Sequence, residues 1–200
     1  MQMIPRRLAL AGALLLPFAA RAEDGGAKAA AFVKQAGAEL AGVVAGASSP
    51  ADKQARLQPY LERVVDVDAI ARFCLGRYWP AAAPEQRADY LRLFRMVLLH
   101  GVVNRLGDYQ AGSVSVTVNP PTEKADGIYV PTVVRREGEK PVNITWLVTQ
   151  DAAGAMRIAD VVAEGMSLRL TQRSDYAAFL GHHGGDVGAL LAGLRLQAGE

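Results

Sequence analysis

Few residues of this 200-residue chain have the type and spacing to do chemistry. Gly165-Met166-Ser167-Leu168-Arg169 has the first glycine and the serine of a hydrolase nucleophile elbow, but an arginine stands where the second glycine is needed. Of the three histidines, His100 lies inside an apolar helical pattern. His182 and His183 are neighbours, whose side chains diverge in any regular backbone and so do not close on one metal ion. Asp160 and Glu164, four residues apart, could be a paired acid and base; the simpler reading gives each an arginine or a backbone amide. Cys74, the only cysteine, reads as a small buried apolar residue and cannot form an internal disulfide. Phosphate-binding glycine loops, zinc-binding spacings and EF-hand loops are missing from the sequence. A hydrolase using Ser167, His182 or His183, and Asp186 is one rival reading; a module with an apolar groove for a peptide or partner helix is another.

Arg72, Arg77, Arg87, Arg92 and Arg95 form a second group. They could make a surface for anionic head groups or a protein partner, or be the solvated face of two helices. Whole-chain charge does not decide it. Residues 1–7 carry Arg6 and Arg7, residues 8–20 form a 13-residue apolar run, and Ala20-Arg21-Ala22 offers small residues for cleavage. Residues 1–22 therefore read as a signal peptide, by the general or the twin-arginine route, with an apolar run shorter than the roughly 20 residues of a membrane span. Cleavage after Ala22 removes three arginines and no acid, leaving 19 basic and 20 acidic residues, a change from +2 to −1. An exported domain of residues 23–200 then has no strong positive field for nucleic-acid phosphates.

The elements that must position these residues fall into two kinds. Phe32, Val33, Leu40, Val43 and Val44 recur at helical spacing. Ser49-Pro50-Ala51-Asp52 then starts a helix toward Val65, and Asp66 caps another carrying Val67, Ile70, Ala71, Cys74, Leu75 and Tyr78 on one stripe. Pro84-Glu85-Gln86 begins a long helix to about Tyr109, with Leu91, Phe94, Leu98, Val102 and Arg105 along one face and Leu93, Val97 and Leu106 widening it. Past Gly112 the period becomes two. Strands are expected at residues 114–118, 128–136, 142–149 and 156–170, with a loop at 119–127. Val142, Ile144, Trp146 and Val148 share one face; Ile158 and Val162 can join it only if a bulge or rim position accommodates Asp160 and Glu164. Ser174-Asp175 starts a short helix, and Gly184-Gly185 precedes a final one. The order predicts an α+β fold: a curved antiparallel sheet of about four strands, a helical N-terminal half and short C-terminal helices.

The string DVDAIARFCLGRYW at residues 66–79, followed by APEQRADYLRLF, resembles the MlaC or toluene-tolerance family, as do RIADVVAEGMSLRLTQRSDYAAFL at 157–180 and GGDVGALLAGLR at 184–195. Its members are periplasmic lipid-carrying components of a phospholipid ABC transport system. The resemblance implies an apolar pocket between sheet and helices that shields acyl chains of a phospholipid or a related lipid such as a hopanoid. It implies as partners an outer-membrane lipoprotein complex and an ATP-using inner-membrane transporter, together maintaining outer-membrane lipid asymmetry. Ala83 stands where the family often has a threonine cap, costing about 1 kcal/mol locally.

Such a carrier needs neither nucleophile, metal nor cofactor beyond its cargo. Each buried methylene is worth about 0.8 kcal/mol, so a 16-carbon chain has on the order of 12 kcal/mol resisting its passage through water. Expected pocket-wall residues are Leu75, Trp79, Phe94, Val97 and Leu98 from helices, and Val133, Ile144, Trp146, Val162, Met166 and Leu168 from strands.

Overall fold

A computed structural model describes residues 19–107, 114–136 and 138–200. Most of the expected signal peptide, and the expected end of the long helix at Tyr109, lie outside them. Helix α1 (Ala19–Ala45) leads to Ser49, whose Oγ accepts the Asp52 amide at 3.1 Å and starts α2 (Pro50–Val64). The Asp66 carboxylate accepts the Ala69 amide at 3.0 Å and starts α3 (Val67–Leu75). A 3-10 turn, Gly76–Tyr78, follows; α4 is Pro84–Gly107. At the start of α4 the Gln86 side chain accepts the Ala83 amide at 3.0 Å. That is half of a capping box, since Ala83 has no oxygen to return. Ala83→Thr supplies it and is expected to raise stability by about 1 kcal/mol, read from the midpoint of urea denaturation.

The strands form one antiparallel sheet in the order β1 (Val114–Val118), β3 (Gly127–Arg136), β4 (Val142–Gln150), β5 (Met156–Ala163), β6 (Met166–Ser167), with β2 (Thr122–Lys124) beside β3. The expected α+β order holds, with two short strands beyond the four expected. β2 falls within the stretch expected to be loop. Gly127 opens β3 at φ +139°, where a Cβ would come within 2.7 Å of the Val148 carbonyl oxygen, so only glycine fits.

The expected strand 156–170 is corrected. Glu164 (φ 47°) and Gly165 (φ 83°) reverse the chain after Ala163, and Ser167 then caps a helix, α5 (Leu168–His182), so this helix begins well before Ser174. Asp186 caps α6 (Val187–Ala198), accepting the Gly188 amide at 2.7 Å.

Buried apolar side chains gather in three clusters. One joins α3, α4, α5 and α6 around Tyr90, Leu93, Leu180 and Leu194; a second joins α1, α2, α4 and β5 through Ala36, Leu57, Tyr60, Leu99 and Ile158; a third sets Ala29 and Val33 of α1 against Val130 and Val148.

Candidate functional site

Between these clusters lies a cavity of about 790 Å³, in the upper part of the range of about 300–1,000 Å³ for ligand pockets. Members of all three clusters line it: Phe94 and Cys74 from the helical one, Tyr60 and Ile158 from the second, Val33 from the third. The helical period of α4 places Phe94, Leu98, Val102 and Arg105 along it. Aromatic polar atoms are satisfied within the protein. The Trp146 indole N–H donates to Thr132 Oγ1 at 3.0 Å, and that hydroxyl donates to the Ile144 carbonyl at 2.9 Å. The Tyr60 hydroxyl donates to the Ala36 carbonyl at 2.8 Å, and burial pushes its pKa up to about 12. What these rings present to the cavity is carbon.

Polar lining groups concentrate where β1 begins, β3 ends and α5 starts: Arg105, Arg136, Thr171, Gln172 and Asp175. Beside them Asp160, 5% exposed, accepts the Val161 amide at 2.8 Å, the Arg169 amide at 3.1 Å and the Ser167 hydroxyl. Arg169 Nε lies 3.4 Å from its Oδ2 without a directed hydrogen bond, a charge contact rather than a donor–acceptor pair. Glu164 accepts the Asn143 amide at 2.7 Å. The simpler reading of both acids therefore describes them.

The serine and histidines are likewise placed apart. Ser167 and His183 bracket the 15-residue α5, about 22 Å end to end at 1.5 Å per residue. Ser167 Oγ accepts the Leu170 amide at 3.1 Å as a helix cap. His183 stacks on Phe179 with ring centroids 4.1 Å apart, its Nδ1 2.8 Å from the Phe179 carbonyl oxygen. Among the described residues no group of three or more His, Cys, Asp or Glu could hold a metal ion, and no helix is long and apolar enough to cross a membrane.

A scan against protein families matches "MlaC protein" over residues 38–195. The chain belongs to the MlaC family. A solved phospholipid-binding protein from Ralstonia solanacearum, in complex with a phospholipid, has the same fold: TM-score 0.74 at 22% identity, over 84% of this chain and 96% of that one. A search of curated proteins gave no match.

Within this MlaC-family fold the expected wall residues divide. Phe94, Leu98, Ile144, Trp146 and Leu168 line the cavity, although Leu168 does so from the first turn of α5 and not from a strand. The others do not. Leu75 is 1% exposed inside the helical cluster, against which Val97 also packs. Trp79 has Arg72 and Arg87 over its ring, their guanidinium carbons 5.5 and 5.6 Å from its centroid, and stands edge-on to Tyr90. Val133 pairs with Asn143, on the sheet face opposite Ile144, so Val134 lines the cavity instead. Val162 pairs with Thr145 because Ala159 is an extra residue between the pairs Leu147/Asp160 and Val148/Ile158; the bulge brings Val161 opposite Trp146. Met166 is 67% exposed.

Sequence reasoning missed the contribution of α1 and α2: Val33, Ala36, Leu40 and Val44, with Tyr60 and Val64. The first four recur at helical spacing, a signal diluted by the alanines between them.

Cys74 also reaches the cavity, its thiol 3.6 Å from the Arg169 carbonyl oxygen, and burial pushes its pKa up to about 12. At pH 8 the thiol stays protonated and covered. Iodoacetamide is expected to leave Cys74 unmodified in the folded protein and to alkylate it readily in urea, as mass spectrometry would record.

Proposed function

We propose that this protein is a periplasmic lipid carrier, exported by its N-terminal leader, that holds a phospholipid or a related lipid such as a hopanoid. The observation that carries the reading is the cavity of about 790 Å³ whose aromatic polar atoms are already engaged by the protein. Acyl chains ask only for a dry surface. A bound peptide would bring N–H and carbonyl groups that each need a partner, and the carbon-rich walls offer few. The family and the phospholipid-bound Ralstonia protein of the same fold support this choice over the peptide reading. Binding without chemistry fits the use of Ser167, His183 and Asp186 in local contacts at helix ends.

In this role the carrier removes most of the barrier of on the order of 12 kcal/mol that one 16-carbon chain faces in water. It would load and unload at an outer-membrane lipoprotein complex and an ATP-driven inner-membrane transporter, and so help maintain outer-membrane lipid asymmetry. Native mass spectrometry of protein purified from periplasm tests the cargo. A lipid-sized mass that yields fatty acyl fragments is expected; bare polypeptide, or an attached peptide, would overturn the reading.

A further inference from the structure

The five arginines grouped in the sequence do not share one environment. Arg92 is paired with Asp89 and Glu200, and Arg95 with Asp68 at 2.7 Å. Arg72, Arg77 and Arg87 form no ion pair among the described residues, and neither does Arg173. These four lie against aromatic rings instead, Arg77 also donating to the Tyr78 hydroxyl at 2.9 Å and Arg87 to the Pro80 carbonyl at 2.8 Å. Arg72 and Arg87 both lie over the Trp79 ring; Arg77 sits 5.0 Å from the Tyr78 ring; Arg173 sits 4.8 Å from Phe73, whose ring also meets Arg169 at 4.5 Å. Arg173 also lies over Gly76, where a Cβ would meet its Nε at 3.2 Å, so α3, the turn after it and α5 share one cationic surface. Arg169 is neutralised by Asp160 and Asp126, whereas Arg72, Arg77 and Arg173 are exposed.

This surface runs into exposed apolar side chains. Met166, Leu168 and Leu170 are 67%, 46% and 55% exposed, and Leu170 is three residues before Arg173, on the same helical face. Leu168, Thr171 and Gln172 of the same turns line the cavity. Arg173, bare apolar side chains and the cavity edge thus meet at one corner, with the exposed Asp175 two residues on, and Arg72 and Arg77 extend the cationic face along α3 and the turn after it.

We infer that this corner docks on the surface of an anionic phospholipid bilayer. Guanidinium is weakly hydrated and matches phosphate oxygens two at a time, and stacking on rings restricts its motion before contact. Apolar side chains next to cations suit the boundary between head groups and acyl chains. The attraction is local: without its expected leader the chain has a formal charge of −1, so net charge would not draw it to an anionic membrane. The inference concerns the outer surface and does not rest on what fills the cavity.

Vesicle flotation tests it. The wild-type protein is expected to float with vesicles of equal parts phosphatidylcholine and phosphatidylglycerol, not with phosphatidylcholine alone, and to be released by added salt. At about a fivefold change in affinity per arginine, R72Q/R77Q/R173Q should bind about a hundredfold more weakly, and R92Q/R95Q should bind as wild type. Should the triple variant not fold, R77Q alone should bind about fivefold more weakly. Absence of wild-type binding, which would turn the patch over to an acidic protein partner, overturns the inference. So does equal weakening by the two arginine sets. Lipid extracted from the same preparations is a separate reading, unchanged in the triple variant, and keeps failure of the docking surface distinct from failure of the cavity.

Discussion

Leu98→Asp is expected to yield a folded protein without co-purifying lipid. Leu98 is half-buried on α4 and faces the cavity, so the new carboxylate would lie among apolar walls under the proposed acyl chains. Leaving a charge there without a partner costs several kcal/mol, enough to lower occupancy about a hundredfold. A pair of neighbouring sheet residues sharpens the result. Val134 lines the cavity and Val133 lies on the opposite face, both half-buried, so Val134→Asp should lose the lipid and Val133→Asp should keep it. Solvent extraction and mass spectrometry read both, with circular dichroism to check folding. A folded Leu98→Asp protein with a full lipid complement would place the chains elsewhere.

Asp160→Ala should be the most destabilising single change near the cavity edge. Its carboxylate, with a side chain 4% exposed, holds the Val161 and Arg169 amides and the Ser167 hydroxyl, and its charge faces an Arg169 side chain 18% exposed. Without it Arg169 keeps only Asp126 at 3.2 Å and the Phe73 ring, and the first turn of α5 loses its tie to β5. Breaking a buried pair from one side costs about 3–5 kcal/mol. Urea denaturation should show that loss, and hydrogen exchange should quicken first at the start of α5. Asp160→Asn, which retains an acceptor oxygen, should lose less. An alanine variant as stable as wild type would remove this carboxylate from the account.

Where polar residues separated the apolar ones, the sequence was easy to read. Asn143 and Thr145 fix the phase of Ile144 and Trp146, and the 3.6-residue spacing of Phe94, Leu98 and Val102 fixes the cavity face of α4. Val133-Val134 and Val161-Val162 are apolar on both faces, so alternation carries no phase there, and only the pairing with β4 and the bulge at Ala159 settle it. The reversal at Glu164-Gly165 was hidden by apolar residues on both sides, although Gly165 and the Ser167 cap were its signals. Trp79 shows a limit of another kind. Tryptophan suits a pocket wall by composition, but arginines seven residues before and eight after it converge only in three dimensions.

The division of the interior into three clusters also bears on the energetics of delivery. Phe94, Tyr60 and Val33 each belong to a packed group and also border the void, so a guest there would complete the core rather than occupy a cleft outside it. Unloading then exposes apolar wall on several elements at once, and thermal stability should fall with it. If the proposed lipid is that guest, handing it over would be in part an unfolding problem, and whatever received it would also have to compensate for the hollow left behind.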